Sequence, residues 1–301
     1  MQGITTTLNE LVRARPPRGL TGFAPSGRVS THQWGANRSI FRGRGMEFAE
    51  SRAYQPGDDV KSIDWRVTAR TGLPHTKLFQ EERERPVHIL LDLRSMMQFG
   101  TRVRFKSHLA AEVAAMLSWV GHDGGDRVGG LILTRQGVLD FRAARTRKAV
   151  LRFLESVAEQ TATDLEAGDE VSLANGLRRL RKSCRPGTLA FVISDFNDLD
   201  DNAAKELRRL SGTAHVTNIQ ISDPLDAALP SQAGRISDGD LALSLGSVTK
   251  AELQNYAAQF VARRSRLDRI SRQNAMAIHH LQTSDDPATI LHPKERKRSA
   301  A

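Results

Sequence analysis

Two aspartates close apolar runs of the same kind. Pro86 to Leu93 reads PVHILLDL and Thr188 to Asp195 reads TLAFVISD, each nearly continuous in apolar residues and each with an acid at its carboxyl end. Such a run is expected to be a parallel strand buried on both faces. In open α/β sheets, ligands gather beyond the carboxyl ends of the strands. Asp92 and Asp195 therefore stand where carboxylates hold a hard cation or move a proton, and the two are expected to face each other.

The other chemistry-bearing residues carry less. Asp58-Asp59 is an acid pair, but no nearby histidine or cysteine supplies ligand spacing, and Arg52 and Lys61 point to salt bridges. His279-His280 fall on opposite faces of a strand, which prevents chelation by both. Gly43-x-Gly45 lacks a third glycine and follows no strand, and there is no phosphate-binding P-loop. Ser247-x-x-Lys250 matches a penicillin-binding nucleophile pattern by letter, yet it opens a capped helix and has none of the companion motifs. The single Cys184, beside Arg185 and Pro186, reads as inert and fits a reducing compartment.

The elements that must position Asp92 and Asp195 follow from periodicity. A helix over residues 5 to 15 stops at Pro16-Pro17, and a loop rich in glycine and proline follows to Arg38. After the first apolar strand come a helix from Phe105 to Val120, a strand from Asp126 to Leu133, and an antiparallel edge hairpin with Val138 to Phe141. Helices fit 146 to 161 and 171 to 183. Beyond the second apolar strand lie a helix over 199 to 211, a strand from His215 to Ile221, and a small hairpin around Asp238-Gly239-Asp240. Thr249-Lys250-Ala251-Glu252 is a capping box that starts a helix running to Arg272, and Ala277 to Leu281 is a last strand. This alternation predicts a mostly parallel, doubly wound α/β sheet with helices on both faces.

At 301 residues the chain is long enough to bury a full core. No apolar run approaches the ~18 to 20 residues that span a bilayer, and the N-terminus has no apolar signal-peptide core; the expectation is a cytoplasmic protein without a membrane span. Against 34 acidic residues stand 44 basic ones, a net charge of +10. The basic residues concentrate at Arg142 to Lys148, Arg178 to Arg185, Arg263 to Arg272 and Lys294 to Arg298. Three of these fall in predicted helices or their ends, where long cations form solvated faces; phosphate or acidic-partner binding is the competing reading.

Arg42 to Glu82 is the densest stretch of all, with Tyr54, Trp65 and Phe79 interleaved among charges of both signs. Gln55-Pro56-Gly57-Asp58 has the residues of a type II turn, and Ser62 to Val67 alternates as a short strand. GRGMEF at Gly43 to Phe48, Arg52-x-Tyr54-x-Pro56-Gly57-Asp58-Asp59, Ile63-Asp64-Trp65-Arg66, Ala69-Arg70 and Glu81-Glu82-x-Glu84-Arg85-Pro86 resemble the signature of the bacterial family called domain of unknown function 58. The resemblance runs loosely to about residue 290. It implies a von Willebrand factor A-like domain over 86–283, preceded by an N-terminal helix and linker (1–38) and a charged platform (39–85), and followed by a basic tail (284–301). It implies no reaction, and it implies a MoxR-type AAA ATPase as partner in chaperone-like assembly.

Many A-like domains carry a metal-ion-dependent adhesion site, D-x-S-x-S with a later threonine and aspartate, which suits magnesium. Carried over, Asp92 takes the first position, but Arg94 and Met96 replace the two serines. Val171 takes the place of the threonine, with Ser172 as its substitute, and Asp195 is the later acid. A guanidinium and a thioether are poor replacements for hydroxyls at magnesium. The expectation is that no metal binds and that Arg94 stands in for the ion, between Asp92 and Asp195; a weakened magnesium site on those two acids is the alternative.

The chain is therefore expected to be a non-enzymatic interaction module. Arg52, Tyr54, Asp58, Asp59, Asp64, Trp65, Arg66 and Arg70 would contact the ATPase or its client as a recognition surface anchored by Tyr54 and Trp65; the structural reading is an ionic lattice of Arg44, Glu47, Arg52, Asp58, Asp64, Arg66 and Arg70 that locks the platform against the A-like domain. Nucleic-acid binding through the basic helices and tail is a second reading, and a metal hydrolase using Asp92 and Asp195 a third.

Overall fold

The computed structural model describes residues 3–17, 20–23, 29–31, 46–56, 58–81, 85–162, 168, 170–230, 235–237, 242–244 and 248–291. Arg44, Gly57, Glu82, Glu84, Asp169, the hairpin tip 238–240, Ser247 and the basic tail from 292 onward lie outside them, as do the side chains of Glu47 and Phe79. By contact, residues 1–32 and 85–301 form one compact unit and residues 33–84 a second, inserted one.

In the larger unit, α1 (Leu8–Arg13) starts at a capping box in which Thr7 and Glu10 satisfy each other's amides. It is shorter than the helix expected over 5 to 15. The short antiparallel pair β1 (Leu20–Phe23) and β2 (Val29–Thr31) follows. After the inserted unit come β5 (Pro86–Asp92), α3 (Lys106–Asp123), β6 (Arg127–Thr134), β7 (Gly137–Ala144), α4 (Arg147–Gln160), α5 (Leu173–Ser183) and β8 (Thr188–Ser194). Then α6 (Asp201–Ser211), β9 (Ala214–Ser222), α7 (Pro224–Ala227), the hairpin β10 (Arg235–Ser237) and β11 (Ala242–Ser244), α8 (Lys250–Gln273) and β12 (Ala277–Gln282) complete it. The main sheet has the order β12-β9-β8-β5-β6-β7, parallel except for the antiparallel edge β7. The expected doubly wound α/β architecture is what forms.

Period-two alternation sends neighbouring residues to opposite faces. Val87, Ile89, Leu91, Leu189, Phe191 and Ile193 pack into one core with α1, α3 and α4. Leu90, Ala190 and Val192 pack into the other, with α5, α6 and α8. α3 is buried around most of its circumference, which its run of alanines permits.

The N-terminal helix belongs to this unit rather than to a separate segment. Leu11 is fully buried, its carbonyl accepts a 3.1 Å hydrogen bond from Trp119 Nε1, and Arg15 makes two bonds to Asp123 while lying over the Trp119 ring. The boundary expected at residue 38 lies outside the described residues.

The inserted unit pairs β3 (Met46–Ala53) antiparallel with β4 (His75–Glu81), and between them lies α2 (Trp65–Thr71). The strand expected over Ser62 to Val67 does not form. Asp64 accepts from the amides of Arg66 and Val67 and caps α2, and Gly72 ends it with a left-handed φ of 75°. Only Ile63 keeps an extended bridge, to Thr76. A cap and a terminal glycine outweigh a weak alternation. The Asp58 amide bonds the Gln55 carbonyl at 3.0 Å, closing the turn expected there.

Candidate functional site

The chain leaves β5 toward β6 on one side and returns to β8 on the other, so the carboxyl ends of β5 and β8 flank the reversal of strand order, the usual location of a site. Asp92, the last residue of β5, is 1% exposed. Arg94 follows, and its guanidinium lies against both oxygens of Asp92, with Nε to Oδ1 at 2.9 Å and Nη2 to Oδ2 at 2.7 Å. The Arg94 amide adds a bond to Oδ1 at 3.1 Å, and the Ser194 hydroxyl one to Oδ2 at 2.7 Å. Four donors on the two oxygens fit an ionised Asp92. Burial pushes its carboxyl up from the usual value, against the pull of Arg94 and Ser194.

The far side of the same guanidinium is also taken by a carboxylate, but it is Asp198, at 2.7 and 2.9 Å, with the Val171 carbonyl accepting from Nη1 at 3.2 Å. Burial opposes the charge on Arg94, and its bonds to Asp92 and Asp198 outweigh that, raising the pKa further. Burial likewise works upward on Asp198, yet Arg94 and the Leu173 amide hold it below the usual carboxylate range. The expected bridge from Asp92 to Asp195 is thus corrected to one from Asp92 to Asp198. The chain after β8 passes through Phe196 at a left-handed φ of 55°, and the second acid facing Arg94 comes three residues later than the one chosen.

Asp195 has a different partner. Lys106, in the first turn of α3, is buried to 1% and places Nζ 2.9 Å from Asp195 and 3.3 Å from Asp226. Burial opposes its charge, and the fields of Asp195 and Asp226 more than restore it. Two protein cations therefore occupy the crevice, each shared by two carboxylates. Sequence reasoning missed Lys106, Asp198, Asp226 and Ser194. Lys106 had a signal: a lysine at a helix N-terminus opposes the helix dipole, so its presence in an otherwise apolar helix calls for acids nearby.

The remaining expected positions are filled differently. Met96 is 53% exposed. Ser172 caps α5, its hydroxyl accepting from the Asn175 amide, and does not enter the crevice. The residues do not fit a magnesium ion: two hydroxyl positions are Arg94 and Met96, and Asp92 and Asp195 are each held by a protein cation. Among the described residues no group of three or more acids, histidines or cysteines converges as ligands would. Cys184 is buried, which pushes its thiol up to about 12 and makes a thiolate nucleophile unavailable at neutral pH.

In the inserted unit Asp58 and Asp64 are held by partners within the unit. Asp58 accepts from the Gln55 amide at 2.9 Å and from Arg52 at 2.7 Å, and these bonds hold its carboxyl below the usual value. Asp64 is held low mainly by the Ser51 hydroxyl at 2.8 Å and also by the α2 amides. Asp59 accepts from the Lys61 amide. The backbone of Tyr54 bonds Pro74, and its side chain is half-buried. Trp65, Arg66 and Arg70 are exposed. The structure thus separates the eight residues grouped by sequence into a bonded set, Arg52, Asp58, Asp59 and Asp64, an outward set on α2, Trp65, Arg66 and Arg70, and the half-buried Tyr54.

No helix among the described residues is long and apolar enough to cross a membrane. The uncharacterised proteins Rv1480 of Mycobacterium tuberculosis and Mb1516 of Mycobacterium bovis are each 34% identical to this chain over 196 residues, 65% of this chain and 61% of theirs; the match therefore spans under two thirds of those relatives. Similar solved structures include the conserved hypothetical protein BatB from Bacteroides thetaiotaomicron, at 14% identity and TM-score 0.40 over 68% of this chain and 93% of that one. The SpRpn10 VWA domain is also similar, at 14% identity and TM-score 0.36 over 69% and 94%. A family model matches residues 50–259, and with the signature residues on both the inserted unit and the sheet, the chain belongs to the family described as protein of unknown function DUF58.

Proposed function

We propose that the protein is a non-enzymatic protein-interaction module, the partner of a MoxR-type AAA ATPase in chaperone-like assembly or maturation. The observation that carries the non-enzymatic reading is the state of the crevice. At the position where an α/β sheet places its chemistry, the four carboxylates Asp92, Asp198, Asp195 and Asp226 are bound by Arg94 and Lys106. An acid held in that way is a poor general base and a poor metal ligand, because freeing it strands a buried cation. What remains for function is surface, and the inserted unit offers an exposed tryptophan with cations beside it, residue types enriched at protein interfaces.

The test is affinity capture of the tagged full chain from its host lysate, treated with nuclease, followed by reconstitution of the captured complex from purified components. Recovery of an AAA ATPase that rebinds as a pure protein supports the reading. Recovery of nucleic acid and its associated proteins alone, lost with nuclease and with added salt, overturns it in favour of nucleic-acid binding through the basic helices.

A further inference from the structure

Helix α2 presents its signs unequally. Trp65 and Ala69 stand one turn apart, Arg66 and Arg70 one turn apart beside them, and all four are exposed. Trp65 is 68% exposed, and Leu73, just past the helix end, is 64% exposed. Large apolar side chains left in solvent at a helix rich in arginine are the residue types found at interaction sites. Neither Arg66 nor Arg70 has a carboxylate partner among the described residues, while the neighbouring acids Asp58 and Asp64 are tied to Arg52, Ser51 and backbone amides. Among the described side chains, the outward face of α2 is therefore apolar and cationic.

We propose that this face docks an acidic amphipathic helix of the partner protein, its apolar side on Trp65 and Leu73 and its carboxylates on Arg66 and Arg70. The assignment rests on the interaction-module reading and adds the chemistry of what is recognised. Arginine offers a forked donor that matches carboxylates in pairs, and an exposed tryptophan flanked by arginine has the composition of an interface hot spot. A second copy of the chain is the wrong occupant on charge, since each copy carries +10. Single-stranded nucleic acid binds on rows of aromatic platforms along a basic groove, and α2 supplies one aromatic flanked by alanine and leucine.

The experiment measures fluorescence anisotropy of three labelled probes with the full chain: a helical peptide with leucines on one face and glutamates on the other, the same peptide with lysines for glutamates, and oligothymidylate. The native chain is expected to bind the acidic peptide and not the lysine peptide. W65A weakens that binding at least about tenfold, as for a central anchor. The double variant R66E/R70E loses the acidic peptide and gains the lysine peptide, an exchange that a folding defect cannot produce. No binding of the acidic peptide to the native chain, binding unchanged in both variants, or oligothymidylate as the ligand they lose would each overturn the proposal. If the ATPase is still captured by W65A and R66E/R70E, this face is wrong and the interaction-module reading stands; if the native chain captures no protein, that reading itself fails.

Discussion

Arg94 is the residue on which the crevice depends. Its side chain is 10% exposed and its guanidinium is shared by two carboxylates; removing it leaves Asp92 buried without its cation. Breaking a buried pair from one side costs about 3–5 kcal/mol, so R94A is expected to lose stability of that order, read from urea midpoints at neutral pH. The deficit has a pH dependence of defined sign. In the native chain Asp198 is held below its ordinary value of 3.8, so the stability it contributes is complete above 3.8 and lost as pH falls through its lower folded value. In R94A the buried Asp92 loses its main charge partner and rises further, so the variant's penalty is relieved as pH falls and that acid protonates. Both effects shrink the difference in acid, and a deficit that is constant or grows below pH 3.8 would contradict the pairing. A second consequence is that millimolar magnesium leaves the melting temperature of the native chain unchanged. A dose-dependent rise would restore the metal-site alternative, because a ligand that binds only the folded state must stabilise it. Sequence showed the damaged motif and the need for a substitute cation. It did not show which acid Arg94 reaches, since Asp195 and Asp198 lie on one short loop and the backbone turn at Phe196 chooses between them.

Among the elements, the strands of the main sheet were the most legible, because burial on both faces forces continuous apolar runs that few other structures need. α2 was misread for the opposite reason: an exposed seven-residue helix has little apolar period, and its determinants are a single cap and a single terminal glycine. The β6 strand holds a less visible requirement. Its Gly129-Gly130 pair coincides with the register shift against β7, and a Cβ on Gly130 would stand 2.0 Å from the Ile89 carbonyl oxygen of β5. The nearest atoms it would meet are all Ile89 backbone, which leaves nothing flexible to yield. G130A is therefore expected to cost at least the ~1–3 kcal/mol typical of overpacking, visible as a lower urea midpoint with slower refolding yield. Tolerance within a few tenths of a kcal/mol would mean that β5 and β6 approach less closely there.

For the whole molecule, the decisive fact is where the core lies. Both apolar cores are built from residues of the larger unit, and among the described residues neither includes one between 33 and 84. Among its described residues, the inserted unit shows strand pairing, two short helical turns and bonded acids, with Val60, Trp65 and Leu73 exposed. On the proposed reading such a chain divides its tasks, the larger unit supplying stability and the inserted unit recognition. Replacing residues 33–84 by a short glycine-serine link is accordingly expected to leave a chain that unfolds cooperatively, with the near-ultraviolet signal of Trp119 retained, because Leu11, Trp119 and the sheet still close over one another. The excised chain should at the same time lose the acidic peptide completely. Loss of the cooperative transition would mean that the inserted unit also holds the sheet together, and the separation of stability from recognition would not describe this protein.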